Sequence, residues 1–139
     1  MRHAAAERGD AASDRDRRLT GAGRRAFAML AVALAAEMRV KAVLASPFLR
    51  ARETASILAE AVGAPLEDRE MLGAGQSTGA GLLRLGREAG EGAALVGHNP
   101  EVAEAIALAA GASRTVPPGT VAAVEADDVG YRLLWLRSP

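Results

Sequence analysis

Strand-like and helix-like segments alternate along the 139 residues, and this alternation is the feature that most restricts the fold. Short apolar runs predict strands, and longer segments with apolar residues at helical spacing predict helices. The predicted strands cover 40–45, a short stretch from residue 66, 93–97, 120–126 and 131–137, the last two forming a hairpin. Such repeated strand, helix, strand units favour a single-domain α/β fold over residues 1–139, in which helices flank a mostly parallel sheet.

The predicted helices have recognisable ends. Thr20 is the expected N-cap of the first, and Ser46, followed by Pro47 in the first turn, is the expected N-cap of the second. Gly63 is expected to end that second helix. The predicted helices are one following Thr20 and three others over about 47–62, 82–88 and 99–110.

Composition excludes several classes of function. The 17 basic and 17 acidic residues leave no net charge, so the sequence predicts neither a nucleic-acid partner nor an anionic membrane surface. The absence of cysteine excludes disulfides and thiolate catalysis. With only two histidines, a zinc centre is disfavoured, and we expect a metal-independent mechanism without a cofactor.

One segment resembles an export signal. Arg24 and Arg25 precede an apolar run that ends at Ala36, a charge pattern shared with secretory and twin-arginine signals. The run begins after a long polar stretch and is too short to cross a bilayer. Its apolar residues recur at helical spacing, so we predict a core-facing helix and a cytoplasmic protein.

The sequence contains two histidines, one beside an arginine and the other at the end of a predicted strand. His3 follows Arg2, and His98 follows Gly97 directly after a predicted strand. A second arginine, Arg50, lies one turn into the helix that follows another predicted strand. Ligands of α/β sheets bind beyond the carboxyl ends of the strands, where helix N–H groups attract anions. The expected ligand is therefore a phosphoryl group.

These segments resemble the histidine phosphatase superfamily, specifically its small SixA-like phosphohistidine phosphatase branch. The similarity extends over nearly the whole chain in four segments with the family's order and comparable gaps. They are Arg2-His3, Arg17 to Gly23, Ser46 to Thr54 and Gly97 to Pro100. The resemblance implies a phosphoglycerate mutase-like fold and phosphoryl transfer through a covalent enzyme intermediate.

The same resemblance implies a role for each site residue. His3 would be the nucleophile, and Arg2 and Arg50 would hold the phosphoryl oxygens. His98 would bind a further oxygen and stabilise the transition state. Arg17 would lie at the pocket edge, although Arg18 replaces the proline of the family's segment.

Each assignment has a simpler alternative. His3 could belong to a frayed terminus, and His98 could be a turn residue beside a helix start. Arg50 could pair with Glu53 on the helix surface, while Arg52 has the character of a solvated arginine.

Two departures from the family shape the expectations. Only Met1 precedes Arg2-His3, whereas the family has a central strand there, so we expect that the first central strand is missing and the sequence is truncated. No carboxylate lies between Glu70 and Glu88, where phosphoesterase members carry a general acid. Glu70 remains a possible acid or a solvated charge.

An alkoxide leaving group needs a positioned acid, whereas a protonated imidazole does not, so the sequence favours cleavage of a P–N bond. The leading hypothesis is a protein phosphohistidine phosphatase acting on a phosphotransfer domain or a phosphotransferase-system protein. The alternatives are a phosphatase for a small phosphoester and an inactive phosphate-binding regulatory module.

Overall fold

A three-stranded parallel sheet forms the centre of the protein. The computed structural model describes residues 1–139, with residue 11 described by its backbone alone. Strand β1 (Ala42–Ala45) lies between β2 (Leu66–Asp68) and β3 (Ala93–Val96), and both neighbours are parallel to it. Strands β4 (Val121–Ala126) and β5 (Tyr131–Arg137) form a separate antiparallel hairpin. The predicted α/β architecture with a parallel sheet is confirmed.

Four α-helices pack around this sheet. They are α1 (Gly21–Glu37), α2 (Leu49–Val62), α3 (Gly79–Ala89) and α4 (Glu101–Ala110). Two 3₁₀ helices, Ala11–Asp16 and Glu70–Leu72, were not predicted from the sequence. In the described residues, no helix is long and apolar enough to cross a membrane.

Of the three residues predicted to mark helix ends, Thr20 and Gly63 do so and Ser46 does not. Thr20 caps α1 by accepting a hydrogen bond from the Gly23 N–H, and Gly63 ends α2 in the left-handed region at φ 69°. The prediction that Ser46 caps the second helix is wrong, because α2 begins at Leu49 with Phe48 as its N-cap residue. The Ser46 hydroxyl accepts from the Phe48 N–H in the loop before the helix, and it also contacts His98.

Two apolar clusters cover the two faces of the sheet. One contains buried side chains from α1, α2 and β1, including Phe27, Ala55 and Leu58. The other contains buried side chains from α3 and α4, including Leu83 and Ile106. The apolar faces predicted for the first two helices are buried at Phe27, Ala31 and Leu34 of α1 and at Ala51, Ala55 and Leu58 of α2. Met38, which continues the same spacing, is exposed beyond the end of α1.

The amino-terminal residues lie between the two sheets. Arg2 forms a parallel bridge with Gly97 beyond the end of β3, and its N–H donates to the Thr120 carbonyl before β4. Residues 1–3 thus occupy a strand position between β3 and β4. Beyond Met1 this position continues as a cavity of about 830 Å³, lined by residues of both β3 and β4.

Candidate active site

The structure brings the four leading site residues together at the carboxyl end of the sheet. His3, Arg50 and His98 are buried, and Arg2 is half-buried. The rings of His3 and His98 lie with their centroids 5.2 Å apart. His3 and Arg50 are 47 residues apart in sequence, yet the Arg50 Nε lies 3.2 Å from the His3 Nε2. The cluster is therefore a product of the fold and not of local sequence.

The surroundings of His3 select one tautomer. Its Nδ1 lies 2.8 Å from the Ala4 carbonyl oxygen, which can only accept, so Nδ1 carries the hydrogen. The Ala4 N–H donates to the Thr54 hydroxyl, and this hydroxyl donates to the Arg50 carbonyl on α2. The Nε2 atom keeps its lone pair and accepts the hydrogen bond from Arg50. A neutral imidazole with an unprotonated Nε2 has the form that a nucleophile requires.

His98 is oriented from the other side of the site. Its Nε2 lies 2.8 Å from the Ser46 hydroxyl oxygen, and its ring packs against Phe48. The Ser46 hydroxyl accepts from the Phe48 N–H and still has both a hydrogen and a second lone pair, so it can donate to His98 Nε2 or accept from it. The Nδ1 atom of His98 is buried without a hydrogen-bond partner among the described residues. When the hydroxyl donates, Nδ1 carries the hydrogen and is a donor that the rest of the site does not use.

Arg2 reaches the opposite wall. One terminal nitrogen donates to the Val116 carbonyl at 2.9 Å, and the Asn99 side chain donates to the same oxygen at 3.2 Å. The Arg2 Nε is buried and has no hydrogen-bond partner within the described residues. Burial, and to a smaller extent the charge of Arg50, lower the Arg2 pKa.

Arg50 is held by two different contacts. Its NH1 donates to the Asp14 carbonyl at 2.6 Å, and its NH2 lies 3.4 Å from an Asp14 carboxylate oxygen. The surface alternative for Arg50 does not hold, because Glu53 instead pairs with Arg24 at 3.0 Å and accepts from the Leu19 N–H. Arg52 is exposed, as expected, and pairs with Asp68.

Arg17 lies at the margin of the cluster. Its NH1 is 3.1 Å from the Asp14 carboxylate, and its Nε donates to the Glu7 carbonyl. The Glu70 side chain is exposed on the second 3₁₀ helix. Among the described residues, no three histidine, cysteine or acidic side chains are grouped to hold a metal ion.

Burial keeps both histidines neutral at physiological pH. It lowers the pKa of His3 to about 4, with the charges of Arg50, Arg2 and Arg17 acting in the same direction. It also lowers the pKa of His98 to about 3, together with His3 and Arg50. A neutral His3 is therefore maintained across the range in which most enzymes work.

These pKa values predict how stability depends on pH. In the unfolded chain each histidine has its ordinary pKa of 6.5, so below that pH it binds more protons there than in the folded protein. Acid therefore favours the unfolded chain. The buried amino group of Met1, with its pKa lowered to about 5, acts in the same direction below its ordinary value of 8.0. We expect the free energy of unfolding to decrease from pH 8 to pH 4, as measured by urea titration.

The matched variant for this experiment is His98→Gln, which removes one of the three titrating groups and keeps a polar side chain. Its free energy of unfolding should change less steeply with pH than that of the wild type. An equal slope in both proteins would show that His98 does not titrate as its burial requires.

Sequence reasoning missed two contributors to the site. Asp14 contacts Arg50 and Arg17, and Thr54 ties the His3 segment to α2. Asp14 lies in a 3₁₀ helix that has no apolar periodicity, and no local signal distinguishes it from the other acidic residues of this polar stretch. Ser46 was recognised, but as a helix cap and not as the partner of His98.

The family model for the histidine phosphatase superfamily (branch 1) matches residues 1–73, which is more than half of the chain. The chain belongs to this superfamily. Membership assigns it to the phosphatases, and the matched region contains His3, Arg2, Arg17 and Arg50. No curated protein matches the sequence.

Solved structures give the same family and extend the match to the whole chain. The protein histidine phosphatase SixA, solved with tungstate, is 27% identical with a TM-score of 0.83, covering 99% of this chain and 94% of that one. A protein described as a candidate phosphohistidine phosphatase SixA from Nakamurella multipartitia is 25% identical with a TM-score of 0.77, covering 100% and 93%. Its counterpart from Agrobacterium tumefaciens has a TM-score of 0.85 at 24% identity, covers 100% and 95%, and shows the shared fold.

Proposed function

We propose that residues 1–139 act as one histidine phosphatase domain that hydrolyses the P–N bond of protein-borne phosphohistidine in the cytoplasm. The observation that carries this proposal is the buried neutral imidazole of His3, whose Nε2 lone pair faces the Arg50 guanidinium. In this scheme Nε2 attacks phosphorus and forms a phosphohistidine on the enzyme. Water then hydrolyses this intermediate and restores the free imidazole.

The neighbouring residues supply positioning and charge. Arg2 and Arg50 bind the non-bridging oxygens, since phosphoryl transfer depends mainly on orientation and electrostatic stabilisation. His98 donates from its unpartnered Nδ1 to another oxygen. Arg17 contributes positive charge at the pocket edge. No step of this scheme requires a metal ion.

The substrate class follows from the leaving group. Residues 71–87 contain no carboxylate, and Glu70 is exposed. An alkoxide would therefore leave without the positioned acid that it needs, whereas a protonated imidazole leaves readily. The similar structure of SixA is that of a protein histidine phosphatase, which supports the same substrate class here. A phosphotransfer domain or a phosphotransferase-system protein is the partner that fits this chemistry.

We expect phosphate release from a phosphohistidine-bearing protein to exceed release from an alkyl phosphate by roughly a hundredfold or more in kcat/KM. That factor corresponds to the rate contribution of a general acid, which only the ester requires. The measurement compares both substrates with one enzyme preparation, with and without a chelator. Preference for the ester would indicate a small-molecule phosphatase, and phosphate binding without turnover of either substrate would indicate a regulatory module.

A further inference from the structure

Asp14 presents a carboxylate at the site that the scheme above does not use. One of its oxygens lies 3.4 Å from Arg50 NH2, and the other lies 3.1 Å from Arg17 NH1. The same arginine, Arg50, donates through Nε to the nucleophilic nitrogen of His3. A single guanidinium group therefore separates the Asp14 carboxylate from the reacting nitrogen.

The exposed fractions place Asp14 nearer the solvent than Arg50 and His3. The Asp14 side chain is 39% exposed and that of Arg50 is 6% exposed, and His3 is buried. In-line displacement places the leaving group on the side of phosphorus away from the nucleophile. In the proposed scheme the buried His3 lies on one side of phosphorus, so the leaving group lies on the more exposed side, and Asp14 is the most exposed of these three residues.

Asp14 is ionised at neutral pH. Partial burial opposes its charge, but the hydrogen bond from Arg17 and the charge of Arg50 outweigh this effect and lower the carboxyl pKa. An ionised carboxylate can only accept hydrogen bonds, so it cannot supply the proton that an alkoxide needs. It can, however, bind a cation or an N–H group.

We propose that Asp14 is a specificity-determining residue that binds the protonated imidazole of the substrate phosphohistidine. This inference rests on the proposed function, because it names the enzyme residue that binds the imidazole ring of the substrate phosphohistidine. The ring nitrogen remote from phosphorus bears an N–H, and its positive charge complements the Asp14 carboxylate. An alkyl or aryl phosphate offers no such group.

The charges balance without a proton from the enzyme. The His3 Nε2 lone pair forms a bond to phosphorus as the substrate P–N bond breaks, and the electron pair of that bond returns to the substrate ring. The substrate leaves as neutral imidazole with its remote N–H still facing Asp14. His3 becomes a phosphorylated imidazolium, whose Nδ1–H is already bound to the Ala4 carbonyl. Positive charge thus passes from the substrate ring to His3.

The second half-reaction restores the enzyme. Water adds to phosphorus, the P–N bond to His3 breaks, and its electron pair returns to Nε2. The two hydrogens of the water stay with the released phosphate monoanion. Asp14 again contacts Arg50 and Arg17 once the product has left, as in the structure.

The test uses the full chain with Asp14→Asn, which keeps the size of the side chain and removes its charge. We expect kcat/KM for a phosphohistidine-bearing protein to fall by roughly 10- to 100-fold, the range for loss of a charge-assisted hydrogen bond. For para-nitrophenyl phosphate, kcat/KM should be unchanged or increased, because a negative charge beside the phosphoryl group is removed. Inhibition by orthophosphate should be unchanged or stronger for the same reason.

Two further variants separate specificity from folding. Asp16→Asn makes the same charge change on the exposed end of the same 3₁₀ helix and should leave both activities unaltered. Asp14→Glu keeps the carboxylate and should recover part of the phosphohistidine activity. Thermal unfolding of each variant confirms that it is folded.

The outcomes are distinguishable. If Asp14→Asn lowered kcat/KM equally for both substrates, Asp14 would only position Arg50, and the proposal would be wrong. An unchanged or higher kcat/KM with the phosphohistidine-bearing protein would also overturn it. A wild type that releases no phosphate from phosphohistidine would instead overturn the proposed function, whether or not orthophosphate binds to it.

Discussion

Replacing His3 by alanine is expected to abolish phosphate release from phosphohistidine, with a loss of at least about a thousandfold in kcat. The reason is that the other residues of the cluster position the phosphoryl group but offer no second nucleophile. His98 is the only other histidine in the sequence. In the proposed scheme His98 binds a phosphoryl oxygen and does not attack phosphorus.

The matched control is His98→Ala. It should slow turnover by about a hundredfold, as expected for loss of one transition-state donor, and still form a phosphoenzyme. With a radiolabelled phosphohistidine protein as substrate, an acid-labile label should appear on the wild type and on His98→Ala but not on His3→Ala. A labelled His3→Ala protein would show that another residue is the nucleophile.

The second large effect concerns stability and the cavity beyond Met1. The Met1 nitrogen donates to the Leu95 carbonyl at 2.6 Å, the Gly97 N–H donates to Met1, and the His3 N–H donates to Gly97. These bonds form the start of a parallel ladder along β3. On the other side, the Arg2 N–H donates to Thr120 just before β4. The cavity therefore lies beside Met1 and between β3 and β4, which both line it.

We expect that joining a strand of about five valine and isoleucine residues to Met1 stabilises the protein by a few kcal/mol. Each fully buried side chain contributes about 1.5–3 kcal/mol, and ordering its backbone costs about 1–2 kcal/mol. Conversion of the buried Met1 amino group, whose pKa burial lowers to about 5, into an amide adds to the gain. The expected rise in Tm is on the order of 10 °C.

The comparison requires an extension of equal length made of glycine and serine, which adds chain without apolar side chains. Thermal and urea unfolding of the unextended protein and both extended proteins measure the difference. If the glycine and serine extension stabilised the protein as much as the apolar one, the gain would come from neutralising the amino group alone. No gain from either would show that the cavity does not accept a strand.

Much of the secondary structure could be predicted because its signals are local. Thr20 and Gly63 determine where helices begin and end, and the spacing of apolar residues identifies the helical faces. The boundary at Ser46 was wrong, since its hydroxyl accepts from the Phe48 N–H in the loop before the helix. Its second contact, with His98, could not be predicted locally because His98 lies 52 residues later in the chain.

The sequence by itself determined the alternation of strands and helices. It also placed His3 near the chain start and Arg50 and His98 after predicted strands. Periodicity and capping act over a few residues, and the family motifs are short, so both can be read along the chain. Only the tertiary structure decided the order of the strands, the tautomer of His3 and the contact of Asp14 with Arg50. These features depend on distances between residues far apart in sequence, which the packing of helices against the sheet sets and no local pattern records.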